Sequence, residues 1–239
     1  MALTRPFKRI VGDSGSPYGL LLLALTTMLL VYPFLGTHKA LSWVFDLVMF
    51  GVVAAALRST RGRGLAYRLG WVFGLSTFVT GFLSRSLGVA SAYPFSAGLR
   101  GLFFGYLIVV ILSDIFRRQK ITFDAVMGAS CVLVLLGLTF SSAFVLLEWQ
   151  IPGSFIIPEI PPAIESVFGP TSTEFNLLYF SFVAMTTIGF GDIVPVAPPA
   201  RGLAALEGLL AQLYLAIIIA RLVGLEIANR MQENQSREE

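Results

Sequence analysis

Long apolar runs, separated by short polar and mostly basic segments, set the pattern of this chain. Pro17 to Gly36 carries no charge, enough to cross about 30 Å of hydrocarbon as a helix. Its apolar part is longer than that of a signal peptide and no A-x-A-like cleavage pattern follows, so it is expected to be a first transmembrane helix. A second run extends from Lys39 or Ala40 to Leu57 and contains one acid, Asp46. A third reaches from about Leu65 to Leu87, with Arg68 near its start and Gly70, Gly74 and Gly81 along it. The Gly70–Gly74 spacing permits close helix contact, although small residues recur at that interval by chance. A fourth runs from about Ser96 to Phe116, a fifth from Phe123 to Leu147, and a sixth from Ala200 to about Leu225 with Glu207 and Arg221 inside. The expected fold is an all-α integral membrane protein with six transmembrane helices.

Between the fifth and sixth runs the pattern changes. Glu148 to Thr173 holds Pro152, Pro158, Pro161, Pro162 and Pro170, which keep the backbone irregular, tolerable in water but not in lipid. Its carboxylates Glu148, Glu159 and Glu165, with Glu174 beyond, either raise the local cation concentration or simply solvate the loop. Thr171-Ser172-Thr173-Glu174 fits a capping box, and Glu174 to Met185 lacks Gly and Pro. A short helix is therefore expected to start there, end at Thr186 half-way into the membrane, and double back. Next comes Thr186-Thr187-Ile188-Gly189-Phe190-Gly191-Asp192. Gly189 and Gly191 can take positive φ where other residues resist it, and that alternation lets successive carbonyls turn the same way. Four chains around one axis would stack rings of carbonyl oxygen, with the Thr187 hydroxyls lowest, able to replace the water shell of a cation. A single strand cannot surround an ion, so more than one copy is required.

Composition sharpens the class. Of 239 residues, 56% are hydrophobic and 13% charged, with mean hydropathy +0.79, against about 25% charged in soluble domains. The single cysteine, Cys131, excludes an intrachain disulfide and is read as a packed apolar residue. The net charge of +3 does not indicate nucleic-acid binding, because the basic residues cluster between apolar runs. Arg5, Lys8, Arg9, Arg58, Arg61, Arg63, Arg68, Arg117, Arg118, Lys120, Arg221, Arg230 and Arg237 would share one side, and only Lys39, Arg85, Arg100 and Arg201 the other. That asymmetry puts both termini in the cytoplasm and the loop outside. His38, on an outer loop, is read as solvated.

Thr187-Ile188-Gly189-Phe190-Gly191 resembles the TVGYG signature of potassium channels, in the TIGFG variant common among two-pore-domain channels. A dinucleotide loop is excluded, since its third glycine would fall at Val194 with no strand before it. Asp192 to Arg221 aligns without a gap with the bacterial potassium-channel pore pattern, including Pro195-Val196 and Arg201. The resemblance implies a homotetramer with potassium bound at Thr187, Ile188, Gly189 and Phe190, Gly191 completing the filter. Thr186, Asp192, Tyr179, Phe180 and Val183 would support it. Tyr179-Phe180 stands where many relatives carry a Trp pair, and Val183 replaces a frequent glutamate. Phe190 lacks the family's filter hydroxyl and its expected neighbours, Phe180 and Ala184, are apolar, so packing should brace this filter, with Asp192 held by Tyr179. Gln212, Leu215 and Ile219 would line the cavity below. Ala211 occupies the family's hinge position, with Gly208 one turn earlier as a substitute hinge. Glu207 is an intramembrane carboxylate, costly unless partnered; it is expected to bond the pore helix, with proton sensing as a second reading.

Four helices before a pore module look like the voltage-gated plan, but that plan needs arginines at every third position. Arg100 stands alone, followed at those positions by Phe103 and Tyr106. Asp46, within reach of Arg85 or Arg100, is read as an ion-pair partner or a modulator site. The link from Phe116 to Thr122 spans roughly 25 Å at most, so each four-helix bundle should sit beside its own pore module. The expected organisation is a cytoplasmic segment 1–16, a four-helix domain 17–118, a pore domain 121–225 and a cytoplasmic tail 226–239, too short for a ligand-binding gating domain. The expected function is passive potassium conduction in the plasma or inner membrane, not gated by voltage through the fourth helix. A less selective monovalent cation channel and a potassium transporter subunit are the alternatives. A lone histidine and a lone cysteine, far apart, argue against an enzyme. No cofactor beyond the ions is implied; partners are membrane lipids and potassium, with room for a separate regulatory subunit and no role for nucleic acid.

Overall fold

The computed structural model describes residues 17–35, 65–86, 93–118, 122–159, 161–162 and 172–238. Six helices and a two-stranded ribbon make up this part: α1 (Pro17–Leu35), α2 (Leu65–Ser86), α3 (Tyr93–Arg117), α4 (Phe123–Gln150), β1 (Phe155–Ile156), α5 (Thr173–Met185), β2 (Val194–Pro195) and α6 (Pro198–Glu238). The second expected span, with Asp46, and the outer-loop residues His38 and Glu165 lie outside the described residues. Among the described residues, three helices are long and apolar enough to cross a membrane: Pro94–Arg117, Phe123–Gln150 and Pro198–Leu225; Tyr18–Val31 is a shorter apolar helix.

Local chemistry explains most of the boundaries. Thr122 caps α4 by accepting from the Ala125 amide at 3.2 Å, which satisfies one of the orphan donors of the first turn. Asp124 in that turn is on the favourable side of the helix dipole. Pro94 is tolerated in the first turn of α3 because no intrahelical bond needs its missing amide; the helix thus begins three residues before the expected Ser96. Residues 226–238, read as a polar tail, continue α6 as helix.

α4 is the central element, with α3, α1, α5 and α6 packed around it and α2 packed on α3. Tyr18, Leu21 and Leu25 of α1 meet Phe103, Phe104 and Leu107 of α3 and Val132 and Leu135 of α4 in one core cluster. Cys131 is fully buried in it. Thus α1 and α3 pack on α4 within the chain. At the 118–124 end, Arg118 donates to Asp114 at 2.7 Å and to Asp124 at 3.0 Å, while the Tyr18 hydroxyl donates to Asp114 at 2.7 Å. This knot ties α1, α3 and α4 together. Arg221 of α6 donates to the carbonyls of Ile115, Phe116 and Arg118 at 3.0, 2.8 and 3.2 Å, filling acceptors that a helix C-terminus leaves open.

The approach of α5 to α4 depends on Gly137. A Cβ there would stand 2.9 Å from the Phe182 ring, closer than packed atoms tolerate. Gly137→Ala is therefore expected to lower the thermal midpoint of the detergent-solubilised protein, and Phe182→Leu to restore part of the loss. Gly105→Ala, where an added Cβ meets nothing within 4 Å, should leave the midpoint unchanged or raised.

Candidate functional site

α5 begins one residue later than the sequence suggests. Ser172, not Thr171, is the N-cap and accepts from the Phe175 amide at 3.2 Å. Glu174 is consequently not the far member of a capping box. Its carboxylate pairs with Arg100 of α3 at 2.6 Å, with side-chain exposures of 14% and 10%. Glu174 thus anchors the start of α5 to Arg100 of α3 and is neutralised by it. Glu148 spends both oxygens on the amides of Gly153 and Phe155, at 2.8 and 3.2 Å; Glu159 is exposed.

At the other end of α5 the chain turns without further helix. Thr186 is the C-cap, its hydroxyl donating to the Phe182 carbonyl at 2.6 Å. The Thr187 amide donates to Ala184 O at 3.1 Å, and the Ile188 and Gly189 amides both reach Val183 O, at 3.1 and 3.4 Å. Val183 thus supports the following segment through its carbonyl, with its side chain buried. Positive φ then occurs at every second residue: Thr187 at 61°, Gly189 at 59° and Gly191 at 77°. An added Cβ at either glycine would meet nothing within 4 Å in the chain, so glycine is needed there for backbone conformation and not for space. Thr187 has no such freedom, and its left-handed conformation costs roughly 1–2 kcal/mol. The sequence pointed to the glycines; nothing in it singled out Thr187 as a third left-handed position.

The segment after the turn is anchored to the loop following α4. β1 and β2 pair antiparallel, Phe155 opposite Pro195 and Ile156 opposite Val194. The Val196 amide donates to Ser154 O at 2.8 Å, and Arg201 Nε to Pro195 O at 3.1 Å. Phe144, Phe155 and Phe180 form a mutual edge-to-face trio with centroids 5.3 to 5.4 Å apart, a favoured geometry for rings. Phe180 therefore braces α5 against α4 and β1. Phe190, expected to lean on Phe180, is 69% exposed in the single chain. The Asp192 carboxylate lies near enough to the Tyr179 hydroxyl to act on it electrostatically.

Behind α5, the Ser181 hydroxyl donates to the Gly137 carbonyl at 2.8 Å and is also hydrogen-bonded to Glu207 Oε1. Glu207 is fully buried. On the same helix Gln212 and Ile219 are exposed and Leu215 half-buried. They are turned away from the face that carries Glu207, Ala211, Tyr214 and Ile218 onto α4 and α5. Nothing within 4 Å would meet a Cβ on Gly208, so packing does not explain that glycine. Replacing Glu174 by Gln should cost about 3 kcal/mol in an equilibrium unfolding titration, because Arg100 would keep its charge and lose its counter-ion. The double change Arg100→Met, Glu174→Met should recover most of that loss.

Most of α4, all of α5, the turn after it and the first part of α6 lie in one match to a known family: residues 133–225 fit the family model described as ion channel. No curated protein and no solved structure matches the chain. The apolar helices long enough to cross a membrane mark a membrane protein, and residues 133–225 are similar to an ion-channel domain.

Proposed function

We propose that four copies of this chain assemble into a potassium-selective channel that conducts passively, each copy contributing six transmembrane helices, one re-entrant α5 and one filter strand. The observation that carries the reading is the alternation of left-handed residues at Thr187, Gly189 and Gly191 between a capped short helix and an anchored return strand. Such a backbone can present the carbonyls of Thr187, Ile188, Gly189 and Phe190 to a dehydrated cation, the mechanism for which potassium channels are the reference case. Irregular backbone at membrane depth is tolerable only where protein or a water-filled path surrounds it. Assembly is supported by the outward face of α6, where Leu206, Leu209, Leu213, Ile217 and Ile219 are exposed in the single chain. In a tetramer, Gln212, Leu215 and Ile219 line the cavity and the Phe190 ring is covered by a neighbour.

The site lies in the plasma or inner membrane with both termini cytoplasmic, an orientation resting on the distribution of basic residues. Steep voltage gating through α3 is not part of the reading, since Arg100 is its one arginine before Arg117 and is held by Glu174. Asp46 remains the candidate modulator site of the first half, and a separate regulatory subunit is compatible with the account.

Purified protein in liposomes provides the test. In mixed potassium and sodium the reversal potential should follow the potassium gradient, without steep dependence on voltage. Gly189→Ala, strained by roughly 1–2 kcal/mol in each chain, should abolish that selectivity. A reversal potential insensitive to the choice of sodium or potassium in the wild type would favour the less selective channel. Saturating flux dependent on a coupled ion would favour a transporter.

A further inference from the structure

Ser181 has one hydroxyl proton and two oxygen neighbours. Gly137 O lies 2.8 Å from Ser181 Oγ, and Glu207 Oε1 lies within hydrogen-bonding distance of the same atom. If Glu207 were ionised, the Ser181 proton would have to point at the carboxylate. Ser181 Oγ and Gly137 O would then face each other at 2.8 Å with no proton between them. If Glu207 is a carboxylic acid, it donates to Ser181, Ser181 donates to Gly137, and both contacts hold a proton.

The surroundings favour the second arrangement. Glu207 is 0% exposed, and its Oε2 is buried with no hydrogen-bond partner. An unpaired buried carboxylate is among the costliest groups a fold can hold, whereas a neutral acid leaves only a weak acceptor unsatisfied. No described cation is available to neutralise it. On α5 and α3, Glu174 and Arg100 bind each other. Arg118, beside α4, is taken up by Asp114 and Asp124. On α6 itself, Arg201 bonds Pro195 O and Arg221 bonds the carbonyls closing α3. Among the other titratable groups on the packed elements, Tyr214 bonds Ala129 O at 2.7 Å, Cys131 bonds Tyr18 O, Glu148 bonds two amides, and Tyr179 lies near the Asp192 carboxylate.

We propose that Glu207 is a neutral acid acting as a hydrogen-bond donor, a positioning residue that fixes α5 to α4 through Ser181 and so holds the filter in register. The chain of bonds runs from α6 through α5 to α4, meeting the last where Gly137 lets Phe182 approach. Ser181 stands one and a half turns before Thr187, close enough for a shift of α5 to displace the Val183 carbonyl on which Ile188 and Gly189 hang. The flux arm of the following test rests on the channel reading; the spectroscopic arm does not.

Infrared spectra of wild-type protein in lipid at neutral pH should show a protonated-carboxyl band that disappears in Glu207→Gln. Ser181→Ala should move the same band, because the acid loses its acceptor; this second variant carries the test if Glu207→Gln does not assemble. Gln can donate as the acid does, so potassium flux in Glu207→Gln should stay within about twofold of wild type, while Glu207→Ala loses about tenfold or more. Absence of any band assignable to Glu207 would overturn its neutral state. Flux in Glu207→Gln falling as far as in Glu207→Ala would overturn its role as a donor. A wild-type band that responds as stated, in a protein that passes no potassium, would uphold the neutral donor and reject the channel reading alone.

Discussion

A backbone held in the left-handed region at Thr187, Gly189 and Gly191 has no ladder of hydrogen bonds to keep it there. It persists only if the helix before it and the strand after it cannot move. Several specific contacts in the second half of the chain serve that requirement. Arg100 pins the start of α5, the Phe144–Phe155–Phe180 trio clamps its middle, and Ser181 joins it to α4 and α6. The β1–β2 ribbon with Ser154 fixes the exit.

The division of labour between apolar and polar contacts follows from the solvent. In lipid, burial of apolar surface gives helices little reason to associate, so close approach at small residues and a few satisfied polar links decide the packing. Gly137 and Gly128 illustrate the first: an added Cβ would stand 2.9 Å from Phe182 and 3.1 Å from Tyr18 respectively. Arg100–Glu174, the Arg118 knot and Arg221 illustrate the second. All three links join the first-half helices to the second half, and through Arg100–Glu174 and Arg221 a disturbance of α3 has a direct path to both α5 and α6.

Hydropathy made the helices legible, and among the described residues three of them are long and apolar enough to cross a bilayer. α1 ends at Leu35 where Gly36 was expected, and α4 begins at Phe123 as read. The short helix was legible from a run free of Gly and Pro bounded by Ser and Thr, although Thr171 and Ser172 are equally good caps on paper and the choice fell to Ser172. Long-range pairings were not legible. Arg100 and Glu174 are 74 positions apart, and Glu174 had an adequate local explanation in a capping box. Ser181 was a small polar residue in an apolar helix, a signal visible once Glu207 is asked for its partner. The left-handed Thr187 follows from the turn that α5 must make, which no single-residue propensity encodes.

The central claim is that carbonyls of the Thr187–Phe190 stretch, one set from each of four chains, stand in for the water around potassium. A density map of the assembled particle in lipid, recorded in potassium, tests it most directly. The account predicts four-fold symmetry with ion density on the axis, ringed by the carbonyls of Thr187, Ile188, Gly189 and Phe190. A particle without a four-fold axis, or one in which Gly189 and Gly191 lie away from it, would contradict the account.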